Sequence, residues 1–138
     1  MKLTGTIGQL RKKSKMVTED ATEFSKNFEE FILNKKCVAL AASQVGNFSR
    51  IVGVKNRSRK RVCIMINPVI IKASKRTVKK PESCVSLGPS IVDMERPTWV
   101  KVAYQTPDLK KTKHKVFRGR LAAAACHVID MLDGILIK

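Results

Sequence analysis

The residues best placed to do chemistry lie near the C-terminus, in the run His127-Val128-Ile129-Asp130-Met131. A helix that reads His-Glu-x-x-His holds a metal ion between two imidazoles one turn apart and uses the glutamate to move a proton. Here the first imidazole is His127. The glutamate position holds Val128, which neither gives nor takes a proton. The position one turn on from His127 holds Met131, which points the same way as the missing imidazole but carries a neutral, soft thioether. Such a donor suits Cu(I)-like ions and serves iron or zinc poorly. Cys126 stands about 100° around the helix from His127 and is not expected to share an ion with it. Asp130 is expected to serve the helix itself, and Asp133 falls on another face.

These residues need elements to position them. Residues 119–132 form an Ala-rich helix able to approach a sheet closely. Residues 18–33 read as an amphipathic helix started by Thr18, with Phe24, Phe28, Phe31 and Ile32 on the apolar face. Residues 37–46 form a compact, small-residue segment ending in Gly46. Residues 51–54 and 62–66 read as strands around a basic hairpin tip. Asn67-Pro68 reads as a break, followed by a short extended piece at 69–72. Residues 75–80 read as a basic loop and 81–89 as irregular, holding Cys84. Residues 99–104 and 114–117 alternate like strands, and 135–137 reads as a last short one. Strands followed by a buried C-terminal helix indicate an α+β fold rather than a doubly wound sheet.

The chain has 138 residues, 43% of them hydrophobic, enough for a single domain over 1–138 with one core. No run of about 18 apolar residues occurs, so no transmembrane helix is expected. The basic N-terminus lacks the apolar stretch of a secretory signal, although it suits an organellar transit peptide. The four cysteines, Cys37, Cys63, Cys84 and Cys126, have long irregular spacings. Reduced thiols in a cytoplasmic or organellar compartment are the expectation, not a secreted disulfide framework.

Three segments taken together resemble the peptide deformylase family. Leu40-Ala41-Ala42-Ser43-Gln44-Val45-Gly46 is similar to its Gly-Leu-Ala-Ala-x-Gln-Val-Gly element. Glu82-Ser83-Cys84-Val85-Ser86 is similar to its Glu-Gly-Cys-Leu-Ser element, and 127–134 to its Gln-His-Glu-x-Asp-His-Leu-x-Gly helix. They occur in the family's order, and Ile66-Asn67-Pro68 and Arg96 extend the likeness. The resemblance implies a peptide-deformylase-like fold, with antiparallel sheets packed around a C-terminal motif helix, and metal-assisted hydrolysis of the N-formyl group on new polypeptides. It implies Cys84 and His127 as metal ligands, Gln44 and the Val85 amide as oxyanion donors, and Glu82 with Arg96 as an ion pair shaping the Cys84 loop. Asp130 matches the helix's supporting acid.

The departures from that pattern set the functional expectation. Val128 removes the base, and with Met131 it reads as apolar filling of the space a metal would take. No cofactor is therefore expected; a bound ion would be Fe2+, Zn2+ or a softer metal at Cys84 and His127. The substrate groove falls on Val38, Ala39 and Ser83. Cys37, Ala39 and Ser83 stand where the family has glycines, so side chains should crowd a peptide there. The chain also ends at Lys138 without the family's usual C-terminal extension.

Lys and Arg number 28 against 11 acidic residues, a net charge of +17. The charge clusters at Lys55, Arg57, Arg59, Lys60 and Arg61; at Lys72, Lys75, Arg76, Lys79 and Lys80; and at Lys110, Lys111, Lys113, Lys115, Arg118 and Arg120. Such loops suit phosphate contact. Five Phe, one Tyr and one Trp leave little for base stacking, which favours folded RNA read by shape. The first expectation is accordingly a non-catalytic homologue that binds rRNA, a ribosomal assembly or another polyanion. The alternative is a functioning metal-dependent peptide deformylase with an altered metal site. A structural or membrane-surface protein is a third reading, weakened by the lack of a basic amphipathic helix.

Overall fold

β-branched and aliphatic runs build the centre of the molecule, which a computed structural model describes for residues 1–137. Lys138, the last residue of the expected domain, lies outside the described residues. Five antiparallel strands form the main sheet: β1 (Ala39–Ala41), β2 (Ile51–Lys55), β3 (Val62–Ala73), β6 (Trp99–Gln105) and β7 (Thr112–Arg118), in the order β1-β2-β3-β6-β7. A separate antiparallel ribbon pairs β4 (Thr77–Ser83) with β5 (Ile91–Pro97). Among the described residues three α-helices complete the fold: α1 (Ile7–Leu10), α2 (Thr22–Leu33) and α3 (Arg120–Leu132). The α+β, antiparallel architecture expected from the sequence is the one observed.

The strand β2 is buried along its whole length because helices cover both faces. Its Val52 and Val54 face a core shared with Ala122, Ala125, Val128, Ile129, Met131 and Leu132 of α3. On the other face Ile51 joins Phe28 and Ile32 of α2. Full burial of side chains such as Phe28 and Ile32 contributes roughly 1.5–3 kcal/mol each. Gly53 lets α2 approach the sheet, since a Cβ there would collide with Ile32.

Several boundaries differ from the sequence reading. The helix expected from Thr18 starts at Thr22, whose amide is taken by the Asp20 carboxylate at 2.8 Å. The expected break at Asn67-Pro68 is a bend inside one strand. The register against β6 shifts there, and Asn67 takes a positive φ of 49°. Its side chain ties the bend to the N-terminal segment, accepting from the Val17 amide at 2.8 Å and donating to the Val17 carbonyl at 3.0 Å. Residues 77–80 of the expected basic loop and 81–83 of the irregular stretch after it are β4, a strand that needs β5 as its partner. Residues 135–137 form no strand; Ile137 is held by burial in the α3 core instead.

Candidate active site

The site is assembled from three chain segments. The first leaves edge strand β1 and makes a single 3-10 turn, Ala42–Val45, ended by Gly46 in the left-handed region at φ 85°. This turn buries Gln44, which is only 1% exposed. Its amide is oriented at both ends. Oε1 accepts from the Ala41 amide at 3.0 Å, and Nε2 donates to Ser86 Oγ at 2.9 Å. The same nitrogen lies 3.7 Å from Cys84 Sγ.

The second segment follows β4. Cys84 is buried, and its carbonyl accepts from the Leu87 amide at 2.9 Å, closing a short turn. Burial pushes its thiol above the usual range, while the Ser86 and Leu87 amides act in the opposite sense and favour a thiolate. The third segment is α3. His127 Nδ1 is buried and has no hydrogen-bond partner. Burial pushes this imidazole below its ordinary range, so its neutral form is favoured.

Arg96 of β5 locks these pieces together. Its Nε and Nη2 each donate to the Glu82 carboxylate at 3.1 Å, and its Nη1 donates to Asp130 of α3 at 2.8 Å. The expected Glu82–Arg96 pair is present. Asp130 serves this bridge, which joins the Cys84 loop to α3, beyond any role within its own helix. Arg50, just before β2, makes a second tie to Asp133 at the C-terminal cap of α3, donating to it at 2.8 Å.

A cavity of about 860 Å³ opens over the site, of a size suited to a small ligand or peptide end. Gln44, Cys84, Val85 and His127 line it together with Cys37, Val38, Ala39 and Ser83. The side chains expected to crowd the groove edge its wall without filling it. Val128 and Met131 are fully buried in the core beside it. Met131 Sδ nonetheless lies 4.0 Å from Cys84 Sγ.

The metal implied by the resemblance can be tested against these donors. Among the described residues, no three His, Cys, Asp or Glu side chains are grouped to hold an ion. Two such donors, Cys84 and His127, share the cavity, and Met131 adds a thioether. The unpartnered Nδ1 leaves His127 with capacity for a ligand. The set fits an ion that accepts sulfur and does not supply the harder third ligand of an iron or zinc site.

The basic residues divide among different places. Arg57, Lys60 and Arg61 are exposed at the β2–β3 hairpin, and Lys110, Lys111 and Lys113 at the β6–β7 hairpin. Lys75, Arg76, Lys79 and Lys80 follow β4 and the turn before it. Lys55 is not available for phosphate, being 3% exposed with its ammonium donating to the Lys35 carbonyl. Arg59 donates to the Lys36 carbonyl at 2.9 Å. Sequence reasoning missed Ser86 as the partner of Gln44, although it lies within the quoted Cys84 segment. It also missed Lys36 at the cavity rim, which had no local signal.

A sequence profile of the polypeptide deformylase family matches residues 4–138. A peptide deformylase of Finegoldia magna is 33% identical over 131 residues, covering 92% of this chain and 80% of the relative. Among solved structures, a probable peptide deformylase from a Synechococcus phage superposes with a TM-score of 0.83 at 32% identity, covering 99% of this chain and 97% of that one. The PDF of a Vibrio parahaemolyticus bacteriophage, in complex with actinonin, gives a TM-score of 0.88 at 25% identity, covering 99% and 100%. These findings overturn the first functional expectation, a non-catalytic RNA-binding protein. The relatives are named for the hydrolase, the likeness runs through the site segments, and the buried Lys55 removes one of the cations assigned to RNA. The alternative, a deformylase with an altered metal site, is the reading they favour. Over nearly its whole length, this chain belongs to the polypeptide deformylase family.

Proposed function

We propose that this chain, as a single peptide-deformylase-like domain, hydrolyses the N-formyl group of N-formylmethionine on nascent polypeptides, using an altered metal site. The observation that carries this reading is the convergence of Gln44, Cys84 and His127 on one cavity beside the free edge of the sheet. An extended peptide can add to the edge strand β1 at Val38 and Ala39 by main-chain hydrogen bonds, with Ser83 opposite. Its formyl oxygen then meets the Gln44 amide and the Val85 N–H as donors for the developing oxyanion. Gln44 is held by its own hydrogen bonds to Ala41 and Ser86, so little reorganisation is needed as charge develops.

A metal ion held by Cys84 and His127 would, when bound, polarise the formyl group and acidify a water. Val128 offers no help with the proton, and general acid–base assistance is worth about 10²- to 10⁴-fold. Slow turnover is therefore expected. Such a substrate places the protein where translation occurs, in a cytoplasm or organellar matrix. No helix among the described residues is long and apolar enough to cross a membrane.

The test is release of formate from N-formyl-Met-Ala-Ser by the purified chain, with metal content measured on the same sample and loading by iron, zinc and Cu(I) in turn. Formate above the protein-free blank, lost in Gln44→Leu, is the expected result. No formate with any of the three ions overturns the proposal.

A further inference from the structure

We infer that Cys84, His127 and Met131 form a three-donor site selective for a soft monovalent cation of the Cu(I) class over iron and zinc. The inference rests on the proposed site for its location and is independent of turnover.

Geometry gives the first support. Two sulfurs bound to one ion at about 2.3 Å, at the angle of a trigonal site, lie about 4.0 Å apart. Cys84 Sγ and Met131 Sδ are 4.0 Å apart. His127 precedes Met131 by one turn, so both project from the same face of α3. Its buried Nδ1 has no partner within the protein.

The lack of free hard donors is a second, separate support. The two carboxylates near the site, Glu82 and Asp130, are both engaged by Arg96. Gln44 Oε1 is taken by the Ala41 amide, and Ser86 Oγ by the Gln44 amide. Iron and zinc would find one thiolate, one imidazole and a thioether, with no oxygen ligand from these side chains. The Cys84 thiolate and the imidazole would serve zinc as well as Cu(I), so the selectivity lies in Met131: a neutral thioether suits Cu(I) and is not among the usual zinc ligands.

Charge supplies the third. A monovalent ion with a Cys84 thiolate, a neutral His127 and a neutral Met131 forms an uncharged unit. A divalent ion leaves one positive charge in a largely apolar pocket, at a cost in desolvation. The cations Lys36, Lys80 and Arg120 already line the same cavity, in a chain of net charge +17. They disfavour an additional positive charge.

The full chain, reduced and kept anaerobic, is titrated with Cu(I) against a bathocuproine disulfonate competitor. One equivalent should bind, and an equal concentration of Fe(II) or Zn(II) should not displace it. X-ray absorption should report two sulfurs and one nitrogen at the ion. Met131→Leu keeps the apolar volume and should weaken Cu(I) by at least about 10-fold. Cys84→Ala should abolish this equivalent while retaining Cys37, Cys63 and Cys126 as a control for other thiols. Unchanged affinity in a folded Met131→Leu variant, or displacement by Zn(II), overturns the inference. Formate release is followed on the same samples. Turnover with iron and no Cu(I) binding sinks this inference alone. Tight Cu(I) binding without formate release under any loading sinks the deformylase reading alone.

Discussion

Gln44, in the turn after β1, and His127, on α3, line one cavity and differ in how their polar atoms are satisfied. Gln44 uses both ends of its amide within the protein, to Ala41 and Ser86. His127 leaves Nδ1 buried without a partner, flanked by the apolar Val128 and Met131. The wall carrying Gln44 is built by backbone geometry, a tight turn ended by Gly46, and its donor is already oriented. The helix wall is built by side chains alone, so a substitution alters its chemistry without altering α3. A site of this kind can keep its oxyanion donors while its metal preference and proton handling change.

The largest expected effect breaks the contrast by restoring a base. Val128→Glu should raise formate release by about 10²- to 10⁴-fold, read from initial rates under matched metal loading. An unchanged rate in a folded variant would mean that the helix wall is not where turnover is limited. Next comes the bridge between the walls. Arg96→Ala leaves Glu82 and Asp130 without their buried cation and should cost about 3–5 kcal/mol in urea unfolding. A loss below about 1 kcal/mol would show that water replaces the guanidinium. Gln44→Leu sharpens the comparison from the oxyanion side, lowering kcat about 10²- to 10³-fold with little change in Tm.

Two smaller effects concern packing. Gly53→Ala places a methyl against Ile32 and should destabilise the α2 face by about 1–3 kcal/mol, without moving metal affinity. Met131→Leu should cost less than about 1.5 kcal/mol in the absence of added metal. A larger loss would indicate that the thioether contributes through Cys84 rather than through volume alone.

Much of the site was legible because its chemistry is carried by short local segments. The 3-10 turn around Gln44 and the turn after Cys84 are closed by nearby residues, and the likeness of these short segments to a known family singled out side chains that line one cavity. The misread elements depend on partners far along the chain. β4 resembles a basic loop because Lys79 and Lys80 are exposed, and only pairing with β5 makes it a strand. The bend at Asn67 resembles a break because its hydrogen bonds come from Val17, 50 residues away.

By itself the sequence determined which donors exist: one thiolate candidate at Cys84, one imidazole at His127, a thioether in place of a second imidazole and valine in place of a base. Tertiary structure decided which of them meet and which competitors are occupied. The 4.0 Å approach of Cys84 to Met131 joins residues 47 apart in the chain, and a single guanidinium at Arg96 withdraws both nearby carboxylates from the site. Such proximity depends on packing across the ribbon, the loop and α3, which residue types and local spacing do not encode.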